Sequence, residues 1–272
     1  MKILKIQGIV TGVLLLSVWV LAQQSRVSFS LRGGYYLPSS STFNKDYVPV
    51  VNNNFNELNT YLTDIGLKGT VQEFKKMNGA AIFGGEFEFK ASEQFSLVLG
   101  AEYSQKTFTG FLDSSGTIEE VLYEVTEESK FRMSVIPIYG TFRINLPVGV
   151  ARVYIGGGAG YYLGRIKAEE QWSWVQESET VDTGTRTTIA SGQAVIPHAN
   201  LGAELKLGGS VTLAMDLRFP FGAIKSFKIK SDSADSNLAG QNLTFVDDKG
   251  IEKEFKWEMT GPNLGVNLKI KF

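Results

Sequence analysis

Few residues in this chain have side chains suited to chemistry, and their spacing narrows the choice further. His198 is the sole histidine, and there is no cysteine. An imidazole that titrates near neutral pH can serve as a general base or as a metal ligand. A metal centre needs three or four such ligands, so no metal site is expected. Hydrolysis would pair His198 with a nucleophilic serine, but its companions at even spacing are Asn200 and Glu204, and no serine stands near it on the opposite face. No catalytic residue is expected. The run Gly156-Gly-Gly-Ala-Gly160 superficially suggests a phosphate-binding loop, yet such a loop must open a helix, and this run lies within a strand-like pattern. It is expected to make room for bulky neighbours and to allow curvature, and no cofactor is expected. What remains is charge. Arg32, Glu86, Glu102, Asp216 and Arg218 are each flanked on both sides by apolar or small residues. Charge in such a setting is costly unless paired, so these groups are expected to interlock as salt bridges.

The elements that position them alternate with a two-residue period, the signature of strands with one apolar and one polar face. The last dozen residues show it most clearly: Leu264, Val266, Leu268, Ile270 and Phe272 share one face, and Gly265, Asn267, Lys269 and Lys271 the other. The same pattern predicts strands over Val27–Tyr36, Ala80–Lys90, Phe95–Ser104, Val153–Leu163, Pro197–Leu207 and Val211–Phe219. In a further strand, Phe131, Met133 and Val135 have one parity and Ile136, Ile138, Phe142 and Ile144 the other. A bulge near Pro137 would reconcile the two. Short turns are expected at Ala91–Gln94, Asn145–Gly149 and Gly208–Ser210. Long connections are expected to turn near Asp113–Gly116 and Asp182–Gly184, with a further hairpin at Asp247–Gly250. In the first long connection, Phe55, Leu58, Leu62 and Ile65 predict a short amphipathic helix with Asn54 as N-cap and Gly66 as stop.

At the amino terminus, Lys2 and Lys5 precede an apolar run from Ile6 to Val20, then Val20-Leu-Ala22 before two glutamines. This describes a cleavable secretory signal over residues 1–22, with residues 23–272 as one domain. No later segment is long and apolar enough to cross a bilayer as a helix. A mean hydropathy of -0.03 suits alternating membrane strands as well as a soluble fold. The net charge of -1 argues against nucleic acid as a partner. With 29 glycines and 12% aromatics, the composition fits a tightly curved sheet carrying interfacial aromatics. Phe89, Phe95 and Phe272 are expected in one girdle, and Tyr35, Tyr103, Tyr161, Phe219 and Trp257 in the other. Asn242-Leu-Thr244 is a chance match to a glycosylation acceptor.

Eight alternating segments, with short and long connections in strict succession, predict an all-β, eight-stranded antiparallel up-and-down transmembrane β-barrel with long extracellular loops. The chain resembles the eight-stranded outer-membrane barrel family that includes the barrel of outer-membrane protein A and outer-membrane proteins X and W. Tyr154-Ile-Gly-Gly-Gly-Ala-Gly160, His198-Ala-Asn-Leu-Gly-Ala-Glu204 and the terminal Phe272 carry the resemblance. It implies an integral outer-membrane protein, expected to be a monomer, in contact with outer-membrane lipids and lipopolysaccharide. It also implies that the barrel-assembly machinery reads the C-terminal strand. The family contains structural barrels, adhesins, channels for small hydrophobic molecules and some lipid-modifying enzymes, so fold does not choose among roles. An eight-stranded interior is just wide enough for side chains to fill it. The expected role is therefore structural or surface-interaction and non-enzymatic, with a narrow channel or lateral transporter for small hydrophobic molecules as the alternative and a lipid-modifying enzyme as a remote one.

Overall fold

Strict alternation becomes strand wherever one face meets an apolar phase and the other a polar or packed one. The computed structural model describes residues 27–40, 42–247 and 249–272. The expected secretion signal, Met1 to Ala22, lies outside the described residues. In chain order the elements are β1 (Val27–Tyr36), α1 (Val48–Asp64), β2 (Lys68–Gln72), β3 (Ala80–Lys90), β4 (Phe95–Ile118), β5 (Val121–Val148), β6 (Ala151–Gln176) and β7 (Glu179–Gly208). There follow β8 (Val211–Pro220), β9 (Ala223–Ile224), β10 (Lys228–Asp232), β11 (Thr244–Val246), β12 (Glu252–Glu254), β13 (Trp257–Glu258) and β14 (Asn263–Lys271). Strands β1, β3, β4, β5, β6, β7, β8 and β14 pair antiparallel in that order, and β14 pairs back with β1, so the sheet runs round a ring. This is the expected eight-stranded up-and-down barrel.

The outer surface carries a continuous apolar belt. On β5 it runs from Val148 through Leu146, Ile144, Phe142 and Ile138 to Ile136, all exposed. That stretch rises about 40 Å along the strand, or about 30 Å along the normal at a tilt near 45°, which matches a hydrocarbon core. The belt ends abruptly at a row of polar residues aligned across four strands: Gln105 pairs with Ser134, Ser134 with Arg165, and Arg165 with Ser191. Above this row the faces exchange character. Phe131, Met133 and Val135 are buried inside, and Arg132 and Lys130 point out. The expected bulge near Pro137 is absent, because β5 keeps one register with both neighbours through this region. The apolar parity changes because the outside phase changes from hydrocarbon to water while the inside becomes a packed core.

The connections also differ from expectation in detail. β4 through β7 continue well above the belt as a ribbon. Its hairpins turn at Glu119-Glu120 (φ 51° and 70°) and at Glu177-Ser178 (φ 49° and 71°). Two successive residues with φ above zero suit the right-handed twist of the flanking strands. Asp113–Gly116 and Asp182–Gly184 are not turns. They lie within β4 and β7, where cross-strand pairing outweighs their local turn tendency. On the short side, β5 continues to Val148, so the second turn is at Gly149-Val150 rather than from Asn145.

The helix starts well before Asn54. A π-helical turn at Phe43–Tyr47 leads into α1, and Val48 and Val51 extend the same stripe as Phe55, Leu58 and Leu62. Pro49 stands just past the π-helical turn, whose last rung is Val48 N–H to Phe43 O. Gly66 does stop the helix, with φ 101°. Asn44 and Asn52 each exchange two hydrogen bonds with the backbone of Met77 and Phe74, fastening the returning segment to the helix. The expected hairpin around residues 247–250 is present as β11–β12. Trp257, expected in the outer girdle, is instead 2% exposed within the apolar core, because the last connection folds inward over the barrel mouth.

Candidate functional site

The residues singled out by charge converge in the lumen. Alternation turns Arg32 of β1, Glu86 of β3, Glu102 of β4, and Asp216 and Arg218 of β8 inward, and the ring brings them to one level. Arg32 Nη1 donates to Glu102 Oε1 at 2.8 Å, and its Nη2 and Nε donate to the two oxygens of Asp216 at 2.5 and 3.3 Å. Arg218 donates to Glu102 at 2.7 Å and to Glu86 at 2.8 Å. Arg143 of β5 adds a third guanidinium, 3.3 Å from Glu86. The Tyr139 hydroxyl donates towards both Glu86 and Glu102, at 2.8 and 2.7 Å, and Asn267 donates to Asp216 at 3.0 Å. Three carboxylates therefore meet three guanidinium groups. All six side chains are at most 2% exposed.

Aromatic rings and glycines complete this layer. Arg218 lies 3.7 Å over the Tyr139 ring and Arg143 4.4 Å over that of Tyr154. Such stacking stabilises a desolvated cation. A methyl group at Gly100 or Gly202 would run into the Tyr139 or Tyr154 ring, and one at Gly265 into the Arg32 guanidinium. The inner glycines of the Gly156–Gly160 run act likewise: Gly156 leaves room for Asn200, and Gly160 for Tyr162. The run is strand throughout, as expected.

A second layer sits nearer the short turns. Lys269 contacts Glu88 at 2.5 Å and is also paired with Glu204, and Arg152 bridges the same two carboxylates, 3.2 Å from Glu88. Here two anions meet two cations, so this layer is also neutral. Above the first layer, Tyr36, Ile82, Val135, Tyr162, Ile196 and Met259 belong to an apolar core that continues into Phe227, Phe255 and Trp257 from the last connection. The space left between this core and Glu102 is about 20 Å³.

His198 faces the lumen, as its parity predicts. Its Nε2 is 2.7 Å from Thr141 Oγ1, and its ring stands edge-on to Tyr139. Glu204, on the same strand, is engaged in the lower layer and does not reach it. The five charges singled out in the sequence are all brought together. Arg143, Tyr139 and the set Glu88, Arg152, Glu204 and Lys269 were not singled out as members of these layers. Glu88, Glu204 and Lys269 share the inward parity of the recognised charges, and parity alone would have included them. Arg143 stands between the lipid-facing Phe142 and Ile144, so the apolar parity of that part of β5 would have included it as well.

No family model matches the chain, and no curated protein matches it. Solved structures do resemble it in shape. The outer membrane protein OprG from Pseudomonas aeruginosa is 11% identical, with 91% of this chain and 97% of that chain covered and a TM-score of 0.40. Ail, the attachment invasion locus protein of Yersinia pestis, solved with the heparin analogue sucrose octasulfate, is 9% identical over 90% of this chain and 99% of that chain, with a TM-score of 0.32. CarO of Acinetobacter baumannii is 13% identical over 76% and 95%, with a TM-score of 0.31. These likenesses carry no argument about this chain's role.

Proposed function

We propose that this chain is an integral protein of the bacterial outer membrane with a sealed lumen, serving a structural or surface-interaction role through the ribbon and folded connections above the belt. One observation carries the reading: two neutral ion layers and an apolar core succeed one another along the lumen. The belt, about 30 Å tall by its strand rise and tilt, supports membrane insertion. The restriction of long connections to one rim supports their facing outward. On this reading residues 1–22 are cleaved on export, the belt contacts lipid and lipopolysaccharide, β14 is the segment read during assembly, and the barrel is a monomer. Purified protein in planar bilayers is expected to give no stable conductance. Reproducible single-channel openings would overturn the sealed-lumen reading.

Transport of small hydrophobic molecules needs an apolar upper lumen with room in it. The apolar layer is there, but side chains occupy it. A lipid-modifying role would need His198 to face lipid beside a nucleophile, whereas it faces the lumen and contacts Thr141.

A further inference from the structure

The lower ion layer is the floor of a cavity of about 350 Å³ that opens at the short-turn mouth of the barrel. Lys90 at the end of β3, Lys206 near the end of β7 and Lys271 at the end of β14 line it. Each has inward parity, shared with Glu88, Glu204 and Lys269, so they face the axis and not the surrounding headgroups. None of the three makes an ion pair among the described residues. Of the carboxylates lining the cavity, Glu204 is engaged by Arg152 and Lys269, which leaves Glu93 against three ammonium groups. The floor is neutral, so the mouth carries an excess of positive charge inside low-dielectric walls, where fields are focused.

A second observation points to a ligand. Thr212 lines the same cavity, is 1% exposed, and its hydroxyl has no hydrogen-bond partner; Arg152 Nε is likewise buried and unpartnered. Buried polar groups are normally satisfied. A hydroxyl, a guanidinium and three ammonium groups thus line one cavity, and such a donor set suits an oxyanion. The cavity volume falls within the range of small-molecule sites.

We propose that this mouth is a binding site for a small soluble multivalent oxyanion of the phosphate-bearing class, held by Lys90, Lys206 and Lys271 with Thr212 and Arg152 at its base. The site is blind, because the Glu88–Arg152–Glu204–Lys269 layer closes it from the lumen, so binding requires no conduction. The full chain folded in zwitterionic detergent, titrated calorimetrically with inorganic pyrophosphate at low salt, is expected to bind one anion saturably. The K90Q/K206Q/K271Q variant should bind about tenfold more weakly or not at all, while K68Q/K75Q/K76Q, which removes three exposed lysines at the opposite end, should bind as the unaltered chain does. Heat-modifiable gel mobility reports whether each variant is folded. Amine acetylation of the unaltered chain gives a readout independent of any variant: pyrophosphate should slow modification of Lys90, Lys206 and Lys271 and spare Lys68, Lys75 and Lys76. Absent or non-saturable binding, equal binding by both variants, or uniform protection of all lysines would each overturn the proposal. Displacement of pyrophosphate by an anionic phospholipid added to the micelles would assign the site to a headgroup and overturn its assignment to a soluble anion.

Discussion

Glu102 ties together more of the barrel wall than its size suggests, because one oxygen accepts from Arg32 of β1, Arg218 of β8 and Tyr139 of β5. Its removal leaves two guanidinium groups short of an anion in a desolvated layer. Glu102→Ala is therefore expected to cost about 3–5 kcal/mol of stability, the range for breaking a buried ion pair. Urea unfolding in phospholipid vesicles measures this, and a loss near that of an exposed charge would show that the layer rearranges freely. Outside the membrane, Asp232 of β10 has a different character. Burial alone would raise its carboxyl, but Thr188, Arg186 and the backbone N–H groups of Asp235 and Ala234 outweigh that and hold it at about 2. A folded-state value below the ordinary value of about 3.9 stabilises fully above that value and is lost as pH falls through about 2. Hydrogen-exchange protection of residues 188–191, which pair with β10, should hold from neutral pH to about 4 and decline below it. Asp232→Asn should show reduced protection at every pH.

At the scale of elements, the polar row Gln105–Ser134–Arg165–Ser191 divides each long strand into two parts with different physics. Below it, strand identity matters because every backbone group must be paired in hydrocarbon. Above it, water can take over lost hydrogen bonds, and the ribbon gains its order from α1, β2 and the aromatic core. Deleting Asp113 to Gly116 tests the division. The deletion removes β4 residues that pair with β2 and β5, yet it lies above the row. Membrane assembly is expected to stay near normal by heat-modifiable mobility, while the α1–β2 segment becomes sensitive to protease. Loss of outer-membrane assembly in this variant would mean that the ribbon and barrel fold as one unit.

For the whole molecule, closure of the ring is the step that makes insertion possible, since an open edge in lipid leaves unpaired backbone groups. β14 supplies that closure by pairing with both β1 and β8. Leu268 lies opposite Leu31 and Leu213 within the belt, and Phe272 N–H donates to Val27 O at 3.0 Å as the last rung. A charge on the lipid face is most costly near mid-depth. Leu268→Asp, or deletion of Phe272, should leave export intact but divert the protein to periplasmic accumulation and degradation. Outer-membrane fractionation reads the outcome, and normal recovery of both variants in the outer membrane would remove β14 from its assigned part in assembly.

The ring itself was legible in the sequence, because alternation is a local property and a two-residue period leaves little choice once eight segments show it. The inward set Arg32, Glu86, Glu102, Asp216 and Arg218 followed from the same parity. Where each strand ends was not legible. Asp113–Gly116 and Asp182–Gly184 have turn composition, and only the pairing of distant segments keeps them extended. The parity change in β5 likewise has no local explanation: Ile136 and Val135 are both apolar, and one faces lipid while the other faces a core assembled from residues about a hundred positions away. Trp257 is interchangeable with a girdle aromatic by type and strand position. Its burial is decided by the last connection folding over the mouth, a long-range arrangement in which covering apolar surface outweighs the preference of tryptophan for an interface.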